Sequence, residues 1–238
     1  MNILIVESKN DRHFVEALVR HLHLQPSVAV NPAPICAIDD FECMNGLSLA
    51  RLTTSLSSLL NRARREGVGK IGVLIDLDNE SIEKRLKLVN DAIRQACLET
   101  FDIAFNNDLN NIAQFSTIHF DSSTSIQISC YFTNVDGQGE LETILKTIKT
   151  KDSPFADCLS AWQNCLKTNG KDISQKDYDK FWLSNYVRFD TCSKNDKKQA
   201  ERKCSIQNLD YVFENKTDIF DFDNALLNDL KSFLQLFN

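Results

Sequence analysis

Apolar residues in the first part of the chain follow two different spacings. Short runs that are continuously apolar, or that alternate with polar residues, are typical of β-strands, whereas an apolar residue at every third or fourth position is typical of an amphipathic helix. The strand patterns lie at 2–6, 28–30, 70–75, 115–120 and 126–133. The helical spacing predicts helices at 9–23, 48–65 and 80–101, and a further helix that begins near Gly139.

From about residue 150 onward only the helical spacing continues, and it predicts helices near 154–167, 174–187, 194–204 and 222–236. Strands that alternate with helices indicate an α/β fold with a largely parallel sheet. We therefore predict that residues 1–149 form a mostly parallel sheet of about four strands flanked by helices. We expect residues 150–238 to form a helical cap or subdomain that packs on this first part.

The net charge of the chain limits the classes of function that it can have. The formal net charge is −6, whereas a protein that coats nucleic acid passively presents a strongly basic face. An enzyme that acts on nucleic acid remains compatible with this charge, because carboxylates that hold metal ions are themselves acidic and the ions neutralise the phosphate.

The sequence also predicts where the protein works. No apolar run approaches the roughly 20 residues that span a bilayer, and the N-terminal run meets polar residues too early for a signal peptide. We expect a cytoplasmic protein with no membrane partner, and a homo-oligomer is compatible with the sequence. None of the eight cysteines shows CxxC spacing, so we expect reduced thiols.

Acidic residues follow two of the predicted strands. Glu7 stands directly after the first strand and Asp11 four residues later, while Asp76 and Asp78 follow the strand at 70–75. The carboxyl ends of parallel strands meet at one edge of a sheet, which is where open α/β sheets bind ligands. One strand-terminal Asp is more often a helix cap, but several apposed carboxylates repel one another unless a cation such as Mg²⁺ relieves the repulsion.

These motifs resemble the Toprim domain, in which a strand ending in Glu is followed by a strand ending in Asp-x-Asp. The Glu-x-x-x-Asp spacing of Glu7 and Asp11 is similar to that of the overcoming-lysogenization-defect nucleases, and the closest resemblance is to small uncharacterised Toprim-like proteins. The segment DGQGELE at 136–142 is similar to the Gly-x-Glu-hydrophobic-Glu motif of those nucleases. The resemblance covers about 145 residues of this chain.

The resemblance implies metal-dependent cleavage of a phosphodiester bond in DNA or RNA, with Mg²⁺ or Mn²⁺ as the cofactor. Glu7 is then a general base or metal ligand, and Asp76 and Asp78 hold the ion. A second ion is implied at Asp11 with Glu140 or Glu142, as in two-metal hydrolysis. The family has Gly directly after the first Glu, and Ser8 stands there in this chain.

Three basic residues are candidate contacts to a nucleic-acid backbone. Lys9 follows the first acidic motif, and Lys198 and Arg202 lie in a locally basic segment beside Tyr186 and Phe189. A basic segment with aromatic neighbours is compatible with binding of phosphates and bases. A solvated helix face is the alternative for this segment, and a solvated surface lysine is the alternative for Lys9.

Two function classes remain open at this point. The first is a nuclease that uses the carboxylate cluster. The second is a Toprim-like binding or regulatory module that has kept the fold and lost the chemistry. The intact carboxylates at Glu7, Asp11, Asp76 and Asp78 favour the enzyme, whereas Ser8 and the acidic net charge favour the module.

Overall fold

A computed structural model describes residues 2–25, 27–36, 47–199 and 203–238 of the chain. The chain divides into two compact units. The first unit contains Met1–Thr133 together with Asn228–Asn238, and the second contains Asn134–Leu227. The first unit is built on a β-sheet, whereas the second is almost entirely helical. The predicted α/β class, with additional helices toward the C-terminus, is confirmed.

The sheet of the first unit has five strands, which are β1 (Asn2–Val6), β2 (Val28–Val30), β3 (Lys70–Asp76), β4 (Ser116–His119) and β5 (Ser125–Thr133). Their order is β2-β1-β3-β5-β4. All neighbouring pairs are parallel except β4 with β5, which is antiparallel. The predicted mostly parallel sheet is therefore confirmed, with one antiparallel strand at its edge. The carboxyl ends of β1, β3 and β5 lie side by side, because β3 pairs with both β1 and β5.

Within its described residues, the first unit has four α-helices beside this sheet, namely α1 (Lys9–His21), α2 (Leu49–Glu66), α3 (Ile82–Phe101) and a last helix, α10 (Asn228–Gln235). Helices α2 and α3 bury one face each against a single face of the sheet, with residues such as Leu56, Leu60 and Ile93 packed near Val73 and Ile128. Periodic apolar residues explain why both segments fold as helices, since each stripe has the sheet to cover it. Ser48 and Ser81 cap the N-termini of α2 and α3.

Helix α10 and the residues after it lie close to the sheet centre. The ring of Tyr131 on β5 lies 5.4 Å from that of Phe233, and Phe237 follows one turn later. A Cβ atom added to Gly72 of β3 would stand 2.7 Å from Cζ of Phe237 and 2.5 Å from Cδ2 of Leu4. Only glycine leaves room for these two buried side chains, so the position of Phe237 depends on the absence of a side chain at residue 72.

The second unit contains six α-helices within its described residues, and short 3-10 and π segments join several of them. Trp182 and Tyr186 form its centre, with their rings stacked 5.2 Å apart. The indole Nε1 of Trp182 donates to Asp157 at 3.0 Å, and the Tyr186 hydroxyl donates to the carbonyl of Ile219 at 2.8 Å. The helices are α4 (Leu141–Thr147), α5 (Pro154–Asp157), α6 (Leu159–Thr168), α7 (Gln175–Asn185), α8 (Lys194–Gln199) and α9 (Leu209–Asn215).

Two expectations are corrected. Reduced cysteines were expected, and Cys97, Cys130, Cys158 and Cys165 are free, but Cys192 and Cys204 form a disulfide and Cys36 is also disulfide-bonded. The pattern near 222–236 is a 3-10 turn at Ala225–Leu227 followed by α10, which begins later than predicted. Of the predicted helix at 194–204, residues 194–199 form α8, residues 203–204 are not helical, and residues 200–202 lie outside the described chain. Among the helices in the described ranges, none combines the length and apolar character that a bilayer span requires.

Candidate metal centre

The first carboxylate, Glu7, follows β1 directly and reaches the end of the neighbouring strand. Its side chain is only 7% exposed, and its Oε2 accepts a hydrogen bond from the backbone N–H of Asp76 at 3.2 Å. Because β1 and β3 are parallel neighbours, their ends must meet at the same edge of the sheet. The structure thus brings Glu7 and Asp76 together, as their positions after two buried strands predict.

Asp76 and Asp78 are neighbouring carboxylates at this edge. Each offers an oxygen within 4.8 Å of an oxygen of the other. Asp76 is buried at the end of β3, and Asp78 is half-buried in the turn that follows. Asp78 has a φ of 53°, which lies in the left-handed region that Asp and Asn tolerate better than most other residues. This turn directs the second carboxylate back toward the first, so that one cation can contact both.

Arg85 is a member of this site that the sequence interpretation missed. It projects from the first turns of α3, is buried, and forms an ion pair with Oδ2 of Asp78. Its Nε also donates to the carbonyl of Leu77 at 3.4 Å. A signal for it does exist in the sequence, because Arg85 stands four residues before Val89 on the buried face of α3, where most of the other residues are apolar. A charged residue in such a stripe indicates a buried partner.

Asp11 and Ser8 form a capping box at the start of α1. The Ser8 backbone N–H and hydroxyl donate to Oδ2 of Asp11 at 2.9 and 2.6 Å, and the Asp11 N–H donates to the Ser8 hydroxyl at 3.2 Å. Ser8 has an extended backbone, with φ −122° and ψ 172°. This position therefore does not need the left-handed conformation for which glycine is preferred. Asp11 is buried near the cluster while it also caps the helix.

Burial and several nearby charges act on the carboxyl group of Glu7. The pKa of Glu7 is raised from 4.5 to about 7, mainly by burial and then by the nearby charges of Asp11 and Asp78. The hydrogen bond from Asp76 and the charge of Arg85 act in the opposite direction. The proximity of Asp11 and Asp78 therefore disfavours the charged form of Glu7, as burial does.

This donor set fits a hard divalent cation. Its ligand atoms are carboxylate oxygens, which Mg²⁺ and Mn²⁺ prefer. A bound cation would relieve the same repulsion that raises the pKa of Glu7. Asp76, Asp78 and Glu7 are the residues of the first unit that would hold it.

Thr133 ends β5 at the same edge of the sheet. It is the register partner of Asp76, and its carbonyl accepts a hydrogen bond from the N–H of Leu77 at 3.0 Å. Sequence interpretation did not single it out, because a threonine that ends a strand carries no distinctive pattern.

Two predicted site residues, Glu140 and Glu142, belong to the second unit. Glu140 is the N-cap residue of α4, is buried, and pairs with Nζ of Lys176 at 2.7 Å. Glu142 lies in the first turn of the same helix and is also buried. Glu140 and Glu142 therefore remain predicted ligands of a second ion.

The candidate nucleic-acid contacts are only partly described. Lys9 is exposed at the start of α1, and Lys198 is exposed on α8. Arg202 lies outside the described residues. Of the two aromatic neighbours, Phe189 is exposed, but Tyr186 is fully buried and cannot stack on a base, contrary to the sequence expectation.

Comparison with known proteins gives one match. The model of a family described as a protein of unknown function, DUF3226, matches residues 1–238. No curated protein and no solved structure matches the chain. The match extends over both compact units, so it covers the carboxylates of the first unit as well as Glu140 and Glu142. The chain therefore belongs to the DUF3226 family of proteins of unknown function.

Proposed function

We propose that this protein is a Toprim-like, Mg²⁺- or Mn²⁺-dependent nuclease that cleaves phosphodiester bonds in DNA or RNA. The observation that supports this proposal is the proximity of Asp76 and Asp78, whose carboxylate oxygens lie within 4.8 Å of one another at the sheet edge. Buried carboxylates at this distance suit a shared divalent cation, and such cations are common in enzymes that act on phosphate esters.

Each residue of the cluster has a role in this proposal. Asp76 and Asp78 bind the ion, and Arg85 orients Asp78 through its ion pair. A bound divalent cation polarises the phosphoryl group and lowers the pKa of water. Glu7 lies beside Asp76 and would act as the general base that accepts a proton from the attacking water, or as a further metal ligand.

The remaining candidates complete the proposal. Asp11 with Glu140 or Glu142 would bind a second ion, and Lys9, Lys198 and Arg202 would contact the nucleic-acid backbone. An acidic protein needs such basic contacts, because two sets of negative charge otherwise repel each other. The protein's net charge of −6 makes cleavage dependent on both the metal and the ionic strength.

A second candidate function is a Toprim-like binding or regulatory module without catalysis. The observation that favours it is the pairing of two cluster carboxylates with groups of the protein itself. Asp78 pairs with Arg85, and Asp11 accepts two hydrogen bonds from Ser8. A site that has lost its cation would keep internal partners of this kind.

A substitution at Asp76 separates the two functions. Wild-type protein and Asp76→Asn are incubated with single- and double-stranded DNA and RNA in the presence of Mg²⁺ or Mn²⁺. The nuclease proposal expects cleavage by the wild type and a loss on the order of 100-fold or more in the variant, because a ligand charge is removed. Asp91→Asn is the matched control, since Asp91 pairs with Lys87 and Arg94 on the surface of α3.

Calorimetric titration with each metal accompanies the cleavage assay. Saturable binding without cleavage of any substrate would leave the nuclease proposal without support. The absence of saturable binding at millimolar metal would contradict both the metal centre and the nuclease, and would favour the binding or regulatory module. Cleavage that persists unchanged in Asp76→Asn would show that the activity arises at another site or from a contaminant.

A further inference from the structure

The hydroxyl of Thr133 is a buried polar group at the edge of the sheet that carries the carboxylates. Thr133 is only 1% exposed. Its Oγ1 has no hydrogen-bond partner within the described residues. Buried hydroxyls without a partner are uncommon, because they lose the hydrogen bonds that water would provide. The surroundings of Thr133 should therefore show what its hydroxyl can bind.

Those surroundings are the segment that carries the candidate metal ligands. Thr133 is the register partner of Asp76 in the parallel β3–β5 pair. Register partners in adjacent strands place their side chains on the same face of a sheet, so the hydroxyl and the Asp76 carboxylate share one face. The Thr133 carbonyl accepts from the N–H of Leu77, which stands between Asp76 and Asp78. The backbone of Thr133 is thus fixed to the two-carboxylate segment.

Ser129 provides an internal comparison on the same strand. Its hydroxyl is also fully buried and without a partner among the described residues. Ser129 pairs with Gly72, where the ring of Phe237 and the side chain of Leu4 fill the space. It lies four residues before Thr133, about 13 Å away along an extended strand. Its register partner is a glycine covered by apolar side chains, whereas the register partner of Thr133 is the carboxylate residue Asp76.

We propose that Oγ1 of Thr133 is a neutral oxygen of the metal centre that hydrogen-bonds to a water ligand of the divalent cation held by Asp76 and Asp78. Mg²⁺ releases its water ligands reluctantly, so a site for it needs groups that accept hydrogen bonds from those waters. A hydroxyl can accept from such a water and can donate its own proton to a carboxylate oxygen. Thr133 is a positioning residue in this proposal, which rests on the metal-binding part of the proposed function.

The test compares Thr133→Val with Ser129→Ala in the full-length protein. Valine keeps the shape of threonine and removes only the hydroxyl. The metal-free melting temperature of Thr133→Val should equal or exceed that of the wild type, because a buried group without a partner is removed. Its Kd for Mg²⁺, measured by calorimetry, should rise by about 10-fold or more, as is typical when a group that orients a metal ligand is lost.

The control variants make these results specific. Ser129→Ala removes a comparable hydroxyl and should leave the Kd for Mg²⁺ unchanged. Thr133→Ser retains the hydroxyl and should bind Mg²⁺ like the wild type even if its smaller side chain lowers the melting temperature. This variant keeps the test valid if valine disturbs the strand end.

Three outcomes would overturn the proposal. One is a wild-type Kd in a folded Thr133→Val protein. Another is a large drop in the metal-free melting temperature of Thr133→Val alone, which would reveal a partner within the protein. The third is a wild type that binds no metal, which would remove the metal centre as well. The absence of cleavage by a metal-binding wild type would instead contradict only the nuclease proposal.

Discussion

At the residue scale, the carboxylates could be placed from the sequence but their partners could not. Glu7 and Asp76 each follow a buried strand, and parallel strands end at a common edge, so their proximity follows from local patterns. Arg85 and Thr133 reach the same edge from a helix and from another strand. Their contacts depend on which elements become neighbours, and local patterns do not report this.

The raised pKa of Glu7 leads to a prediction about pH. The ordinary pKa of this carboxyl is 4.5, and in the folded protein it is about 7. The folded state therefore binds this proton more tightly than the unfolded state does. Its contribution to stability is fully present below pH 4.5 and is lost as the pH rises through about 7. We expect this loss to be about 3 kcal/mol in the metal-free protein.

Glu7→Gln should remove this pH dependence, because glutamine does not ionise. The free energy of unfolding of the variant should exceed that of the wild type at pH 8 by much more than at pH 5. Chemical denaturation in the presence of a chelator measures both values. Glu66→Gln, which changes a surface carboxylate paired with Arg62, is the control and should leave the wild-type dependence intact. Equal slopes for wild type and Glu7→Gln would contradict the assigned cause.

At the scale of elements, long periodic segments were the most predictable. The strands at 2–6 and 28–30 have the predicted bounds, and α2 and α3 lie within one or two residues of theirs, because their apolar patterns extend along the whole element. Helix α9 was missed. It has only seven residues, Leu209–Asn215, and follows a 3-10 turn, so it shows too few helical repeats for a pattern to emerge.

Packing between β3 and the end of the chain gives a prediction at this scale. Gly72→Ala would place its Cβ 2.5 Å from Leu4 and 2.7 Å from Phe237, both of which are fully buried. We expect a loss of about 1–3 kcal/mol in the free energy of unfolding, as is typical of overpacked cores. Thermal and chemical denaturation measure this loss.

The double variant Gly72→Ala with Phe237→Leu tests the cause. Leucine lacks the Cζ atom that the new methyl group would meet, so part of the lost stability should return even though Phe237→Leu alone is destabilising. Gly67→Ala is a useful contrast, since nothing lies within 4 Å of its added Cβ and the expected cost arises only from its φ of 67°. Strictly additive effects of Gly72→Ala and Phe237→Leu would argue against a direct steric contact.

At the scale of the whole molecule, the unfolding of the second unit can be followed by a probe of its own. Both tryptophans of the chain, Trp162 and Trp182, belong to the second unit. Their fluorescence therefore reports the unfolding of that unit. The disulfide between Cys192 and Cys204, which are 12 residues apart in sequence, lies in the same unit and constrains its unfolded state.

Replacement of both disulfide cysteines by serine should destabilise the second unit by about 3 kcal/mol, the chain-entropy value for a short closed loop. Denaturant titration monitored by tryptophan fluorescence measures the shift. Cys165→Ser is the control, since this cysteine is free and exposed. A serine double variant with the wild-type midpoint, under conditions that keep the wild-type disulfide oxidised, would mean that the bond does not contribute to stability.

The return of α10 to the first unit has a consequence for synthesis on the ribosome. Translation delivers the five strands first and α10 only after residues 134–227 have been made. At roughly 5–20 residues per second, this delay is on the order of 10 s. During that time the face of the sheet around Gly72 has no Phe237 to cover it. The nascent first unit thus exposes apolar surface that chaperones can bind, and rare codons within 134–227 would prolong its exposure.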